Sequence, residues 1–84
     1  MTELMQQMAD YIVKDIIRRP GIAVEEDTPL VSSGLIDSLA LVDILHKLAL
    51  LTARRISAGK VQPKDMDTLR LMFATAERVG KPRS

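Results

Sequence analysis

The chain contains no cysteine among its 84 residues. Disulfides and thiolate-bound metal are excluded, and the protein itself supplies no thiol. A single histidine, His46, argues against a protein-built zinc site, so no metal is expected. Aromatic residues are nearly missing, with one Phe, one Tyr and no Trp. The core must be built from Leu, Ile, Val, Met and Ala, which suits packed helices better than facing sheets. Long apolar runs are lacking too: none approaches the roughly 18 to 20 residues of a membrane span. Met1-Thr2-Glu3-Leu4 lacks the basic-then-apolar order of a signal peptide. A soluble, cytoplasmic, monomeric protein with no membrane contact is expected.

What is present fits one small all-α domain over residues 1–84. Hydrophobic residues make up 46% of the chain, enough for a compact but thin core. A domain this small hides only about 60% of the surface its unfolded chain exposes, so a deep catalytic cleft is not expected. The net charge of +1 conceals an asymmetry, with −5 on residues 1–46 and +6 on residues 47–84. A basic carboxyl-terminal half could meet nucleic acid. Without aromatic platforms or a reading helix, a solvated surface is the simpler account, and no nucleic-acid partner is expected.

Met5, Met8 or Ala9, Ile12 and Ile16 recur at helical spacing, with Val13 and Ile17 alongside, and predict a helix over about 3–19 that Pro20-Gly21 stops. A long connection follows to residue 37, pinned by Ile22, Val24, Leu30, Val31, Leu35 and Ile36. Loops beyond about 12 to 15 residues in a compact domain are functional or disordered, and the spaced anchors argue against disorder. A second helix is predicted over about 38–54, with Asp37 or Ser38 placed to cap it. Leu41, Ile44, Leu45, Leu48 and Leu51 share a broad face; Asp43, His46 and Lys47 lie roughly opposite, flanked by Val42, Ala49 and Ala53. Leu50 and Leu51 are expected to bury in the chain's own core, and Arg54-Arg55 to serve the helix carboxyl end. A short turn near 57–62 leads to a last helix over about 65–79, capped by Asp65 or Asp67 and ended by Gly80.

Gly34-Leu35-Ile36-Asp37-Ser38-Leu39 is the stretch richest in chemical meaning. It places a serine directly behind an aspartate, at the mouth of an apolar helix and the end of a long loop. As a catalytic nucleophile Ser38 would need a base within about 3 Å. His46 lies on the same predicted helix, about 12 Å further along its axis. A Ser-His-Asp triad is excluded unless a second subunit supplies the base, so no enzyme activity and no catalytic residue is expected. Asp37-Ser38 alone would be an ordinary helix cap. The hydroxyl's exposed setting and the positive end of the helix behind it add that a phosphate there would be favoured.

That motif, followed by Val42, Leu45 and Leu48, resembles the attachment motif of the acyl and peptidyl carrier proteins. Asp27-Thr28-Pro29-Leu30 looks like the family's loop segment before the motif. Val61-Gln62-Pro63-Lys64-Asp65-Met66-Asp67-Thr68-Leu69 looks like the entry to its last helix, so the likeness spans nearly the whole chain. The resemblance implies an acyl-carrier-like four-helix bundle with three main helices, a short third helix and a long first loop. It implies 4′-phosphopantetheine from coenzyme A, joined to Ser38 through a phosphodiester, whose terminal thiol carries acyl or aminoacyl thioesters. Asp37 would serve recognition by a phosphopantetheinyl transferase. An acyl- or aminoacyl-loading enzyme and a downstream synthase or transferase would be the other partners.

One departure matters. Family members commonly carry several acids on the second helix, whereas here Asp43 is the only one after Asp37. The resemblance therefore points away from general fatty-acid synthesis and toward a specialised pathway such as polyketide, nonribosomal peptide or modified amino-acid assembly. Partners would read Leu39, Leu41, Val42, Asp43 and His46 more by apolar contact than by charge. The competing expectation is a small helical protein- or nucleic-acid-binding domain that uses the basic carboxyl-terminal half.

Overall fold

The computed structural model describes residues 2–82. Helix α1 spans Glu3–Tyr11 and continues without interruption as a π-helical segment, Ile12–Ile17. Helix α2 is Ala40–Thr52, followed by a two-residue strand β1, Arg54–Arg55. Two single 3₁₀ turns, Ala58–Lys60 and Pro63–Met66, lead into α3, Leu69–Val79, and a second short strand β2, Lys81–Pro82. The fold is mostly helical. Its strands pair antiparallel, Arg54 with Pro82 and Arg55 with Lys81.

Local chemistry explains most boundaries and corrects several expected ones. Thr2 caps α1 by accepting from Met5 N–H at 3.2 Å. The first helix stops at Arg18, before Pro20-Gly21. Arg18 turns left-handed at φ 59° while its N–H donates to Val13 O at 2.8 Å. The widened final turns contain four β-branched residues, Ile12, Val13, Ile16 and Ile17, which favour a regular α-helix less than unbranched ones do. Residues 38–39 form a turn, so α2 begins two residues after the expected start. The last helix begins at Leu69 instead of 65, because residues 63–66 close a separate 3₁₀ turn in which Gln62 and Asp65 cap one another. Thr68 caps α3, accepting from Leu71 N–H at 3.1 Å. Neither Asp65 nor Asp67 does so.

The core takes Met8, Ala9 and Ile12 from the first helix, Val24, Leu30 and Ile36 from the loop, Ile44 and Leu48 from α2, and Met66, Leu69, Met72 and Ala76 from the last segment. The loop anchors Val24, Leu30 and Ile36 are as buried as helical residues, which is how the connection over residues 18–39 stays ordered without regular structure. The strand pairing puts the ends of α2 and α3 at one pole. Ser38 and Met66, which precede α2 and α3, line one groove at the other pole, so the two helices run parallel. Gly80 is needed for that closure. A Cβ there would collide with Ala76 O and crowd the Arg54 stem.

Two expectations for α2 are corrected. Leu50 is 51% exposed, and Ala49, placed beside the polar strip, is buried. Both follow from where α1 and α3 lie against α2: residues 44, 48 and 49 face inward, and Leu50 falls on the outer side. Arg54 does not serve the end of α2 either. Its Nη1 donates to Gly80 O at 3.4 Å, across the strand pair.

Candidate functional site

Ser38 is exposed at the turn that opens α2. Asp37 performs the capping: its Oδ1 accepts from Ala40 N–H at 3.0 Å. That bond leaves the serine hydroxyl free, and among the described residues it makes no hydrogen bond. Two features of the preceding loop fix this placement. Gly34 adopts φ 81°, a left-handed turn that a side chain would strain. Ile36, buried two residues before the serine, anchors the turn to the core and is tied to Leu30 O through its N–H at 3.1 Å.

The loop is itself fastened to the start of α3 by two clamps. Asp67 Oδ1 accepts from the N–H groups of Val31 and Ser32, both at 2.8 Å. The Leu30 N–H is shared between Asp67 O at 2.8 Å and Oδ1 at 3.2 Å. Asp67 Oδ2 accepts from the Ser32 hydroxyl at 2.9 Å. The Ser32 N–H, foremost, holds the Asp67 carboxyl below the ordinary carboxylate range; the Ser32 hydroxyl and the N–H groups of Val31 and Leu30 add to this, and partial burial opposes it. The second clamp is Arg70. Its guanidinium reaches Asp27 and Glu26, each at 2.8 Å, and lowers the Asp27 carboxyl. Neither clamp was foreseen from sequence. Asp67 was visible only as a candidate cap, and nothing in local spacing links it to residues 35 to 37 positions earlier.

Between α2 and residues 58–66 lies an apolar groove of about 170 Å³. Leu41, Val42 and Leu45 form one wall, Val61, Pro63 and Met66 the other, and Ser38 lines it too. Leu39 is 83% exposed and Val42 70%, beside the serine. Asp43 and His46 are exposed on the same outer side of α2, whereas Leu41 is half-buried and faces the groove. The structure therefore groups Leu39, Val42, Asp43 and His46 on one surface with Ser38 and turns Leu41 partly inward. Helix α2 is unbroken from Ala40 to Thr52, so His46 stays about two turns from the serine, far beyond hydrogen-bond reach. Among the described residues no group of three or more His, Cys, Asp or Glu side chains is placed to hold a metal ion, and no helix is long and apolar enough to cross a membrane. The basic half of the chain is partly neutralised internally, since Arg70 pairs with Glu26 and Asp27, and Arg78 lies 3.7 Å from Asp65.

No protein-family model, curated protein or solved structure matches this chain.

Proposed function

We propose that the protein is a carrier: Ser38 takes 4′-phosphopantetheine from coenzyme A and presents thioester-bound acyl or aminoacyl groups to partner enzymes. The observation that carries this reading is a hydroxyl left free at a helix start, immediately behind the aspartate that caps the helix, at the edge of an apolar groove. A nucleophile activated for catalysis would be bonded to a base; Ser38 is not. An attachment point needs the opposite, an accessible oxygen on a rigid perch, and the two clamps supply the rigidity. The resident arm would bring the thiol that the protein lacks. Ser38 would hold its phosphate, with the positive end of α2 beside the added charge.

The groove bears on the cargo. Its volume of about 170 Å³ is room for about five or six water-sized groups, enough to receive a short apolar portion of an acyl or aminoacyl group beside Ser38. The exposed Leu39 and Val42 fit partners that recognise the carrier by apolar contact. A dedicated carrier in a specialised assembly pathway agrees with both features.

The test is intact mass after incubation with coenzyme A and a broad-specificity phosphopantetheinyl transferase. A single phosphopantetheine increment is expected, absent in Ser38→Ala, with the variant's melting curve unchanged because the hydroxyl makes no internal bond. Absence of the increment with several transferases would refute the proposal. The basic-surface alternative predicts instead a steeply salt-dependent affinity for DNA or RNA in the unmodified chain.

A further inference from the structure

The carboxylate of Asp67 serves a stretch of chain other than its own. Asp67 directly precedes Thr68, the N-cap of α3, yet its side chain gives that helix nothing. The Leu71 N–H goes to the Thr68 hydroxyl, the Met72 N–H to Thr68 O and the Arg70 N–H to Glu26 O. Among the described residues, every bond of the Asp67 carboxylate runs to residues 30–32: the N–H groups of Leu30, Val31 and Ser32 reach Oδ1, and the Ser32 hydroxyl reaches Oδ2. Burial of the loop does not call for them, since Leu30 and Ile36 already anchor it in the core. What they add is orientation, and it passes directly to the serine motif. Leu30 O accepts from the Ile36 N–H and Val31 O from the Gly34 N–H, both at 3.1 Å. On its other side Ser38 is tied to α2 through the turn, foremost by the Ala40 N–H, which donates to Asp37 Oδ1 at 3.0 Å. The serine therefore stands between two frames, α2 and the start of α3, and Asp67 is the link to the second. Met66, immediately before Asp67, lines the same groove as Ser38, so one short segment sets both the loop and a wall of the groove.

We propose that Asp67 is a positioning residue for the chemistry at Ser38: it holds residues 30–36 in the setting in which the arm-installing enzyme recognises the serine. The inference rests on the carrier reading and adds where recognition is decided, in a loop keyed to α3 as well as on α2. The transfer itself joins Ser38 Oγ to the phosphorus of the pantetheine phosphate and breaks the bond from that phosphorus to the bridging oxygen of coenzyme A. Adenosine 3′,5′-bisphosphate leaves, and the serine's proton passes to the enzyme. Asp67 touches none of these atoms; its effect is preorganisation. With the clamp closed, Gly34 to Leu39 meet the enzyme already shaped. Without it the loop samples several settings, and the enzyme binds only the fraction that matches. The loss therefore falls on binding. Once bound, the loop is ordered by the enzyme, Ser38 Oγ attacks as before, and turnover is kept.

The test is steady-state kinetics of arm transfer from coenzyme A by a broad-specificity phosphopantetheinyl transferase, with the full chain as the varied substrate and intact mass as the readout. Wild type is compared with Asp67→Ala, Asp67→Asn and Thr68→Ala, each well below its melting temperature. Asp67→Ala is expected to raise KM about tenfold while kcat stays within about twofold. Asp67→Asn keeps an acceptor and should fall between the two, which keeps the test valid if Asp67→Ala folds poorly. Thr68→Ala is the control for stability alone. It removes the neighbouring cap bond to the Leu71 N–H, loosens the start of α3, leaves the loop's bonds in place, and should keep the wild-type KM. Amide relaxation in the unmodified chain is read alongside. Residues 31–37 should gain mobility in both Asp67 variants and not in Thr68→Ala, with the amides of Ile44 and Leu48 unchanged in all. The inference alone is overturned if a readily modified wild type and Asp67→Ala share one KM, if Thr68→Ala raises KM as far as Asp67→Asn does, if the Asp67 variants lower kcat and leave KM, or if the loop stays as ordered without the carboxylate. A wild type that no transferase modifies overturns the carrier reading, and this inference with it.

Discussion

Removing the Asp67 carboxylate should loosen the loop that delivers Ser38, and the size of the effect can be worked from its bonds. Two N–H groups, from Val31 and Ser32, donate to Oδ1 at 2.8 Å, while the Leu30 N–H is shared and the Ser32 hydroxyl lies at the solvent edge. Hydrogen bonds to charged acceptors contribute about 1.5–3 kcal/mol each when buried, but water reaches this site and replaces part of that. Counting only the two short bonds, at about 1 kcal/mol each, Asp67→Ala should lose about 2 kcal/mol. In a domain of this size that lowers the melting temperature by about 8–16 °C. Asp67→Asn keeps an acceptor and loses only the charge, so about 1 kcal/mol is expected. The pH dependence follows from the direction of the carboxyl's shift. Because the folded state depresses its pKa, the extra stability is complete above the unfolded value of about 3.9 and is lost as pH falls through the lower folded value. Urea titrations between about pH 2 and pH 7 should therefore show wild type and Asp67→Asn separated at neutral pH and converging in acid. A separation that persists unchanged in strong acid, or an Asp67→Ala variant within about 0.5 kcal/mol of wild type at neutral pH, would refute the clamp.

Three further outcomes are expected. Asp37→Ala removes the cap bond to Ala40 and should cost about 1 kcal/mol in urea melts, with added fraying of the first turn of α2 visible in hydrogen exchange. Leu48→Ala, at a fully buried position, should lose about 2–5 kcal/mol, whereas Val42→Ala, at a site 70% exposed, should stay within about 0.5 kcal/mol. Gly80→Ala should destabilise by about 1–3 kcal/mol because the added carbon meets the Ala76 carbonyl; a neutral result in a thermal melt would contradict the close approach at the strand pair.

Apolar spacing made the helical character, the stripe Ile44–Leu48, the last-helix stripe Leu69–Met72–Ala76 and the loop anchors Leu30 and Ile36 legible in the sequence. These features are local, and periodicity reports them well. What periodicity could not reach was tertiary. Whether Ala49 or Leu50 turns inward depends on where α1 and α3 sit around α2, not on the composition of α2. The strand pair joins Arg54–Arg55 to Lys81–Pro82 across 26 residues, and two-residue strands leave no alternating pattern to find. The entry to α3 was misplaced because Pro63 and Asp65 are good helix-start residues that here start a 3₁₀ turn, with Thr68 restarting the helix. Around the start of α2, the exposed placing of Ser38 at the end of the loop could be read from the sequence, and Asp37 was one of the two cap candidates there; that Leu41 turns partly inward while Leu39, Val42, Asp43 and His46 stay exposed depends on the packing of residues 58–66. The Asp67 and Arg70 clamps could not, because a side chain's bonds to a distant loop have no signature in spacing.

The clamps also impose an order of events. Both reach back from the last quarter of the chain to the loop, from Asp67 to residues 30–32 and from Arg70 to Glu26 and Asp27. Contacts of such long sequence separation require a wide loop to close before they return any stabilisation. During synthesis the serine emerges well before the residues that hold its loop in place. A chain broken or stalled before Asp67 would carry Ser38 on an untethered segment, so the finished perch reports that the carboxyl-terminal helix has been made and has docked. Any enzyme that requires that perch would thereby act on chains in which α3 has docked and pass over those in which it has not.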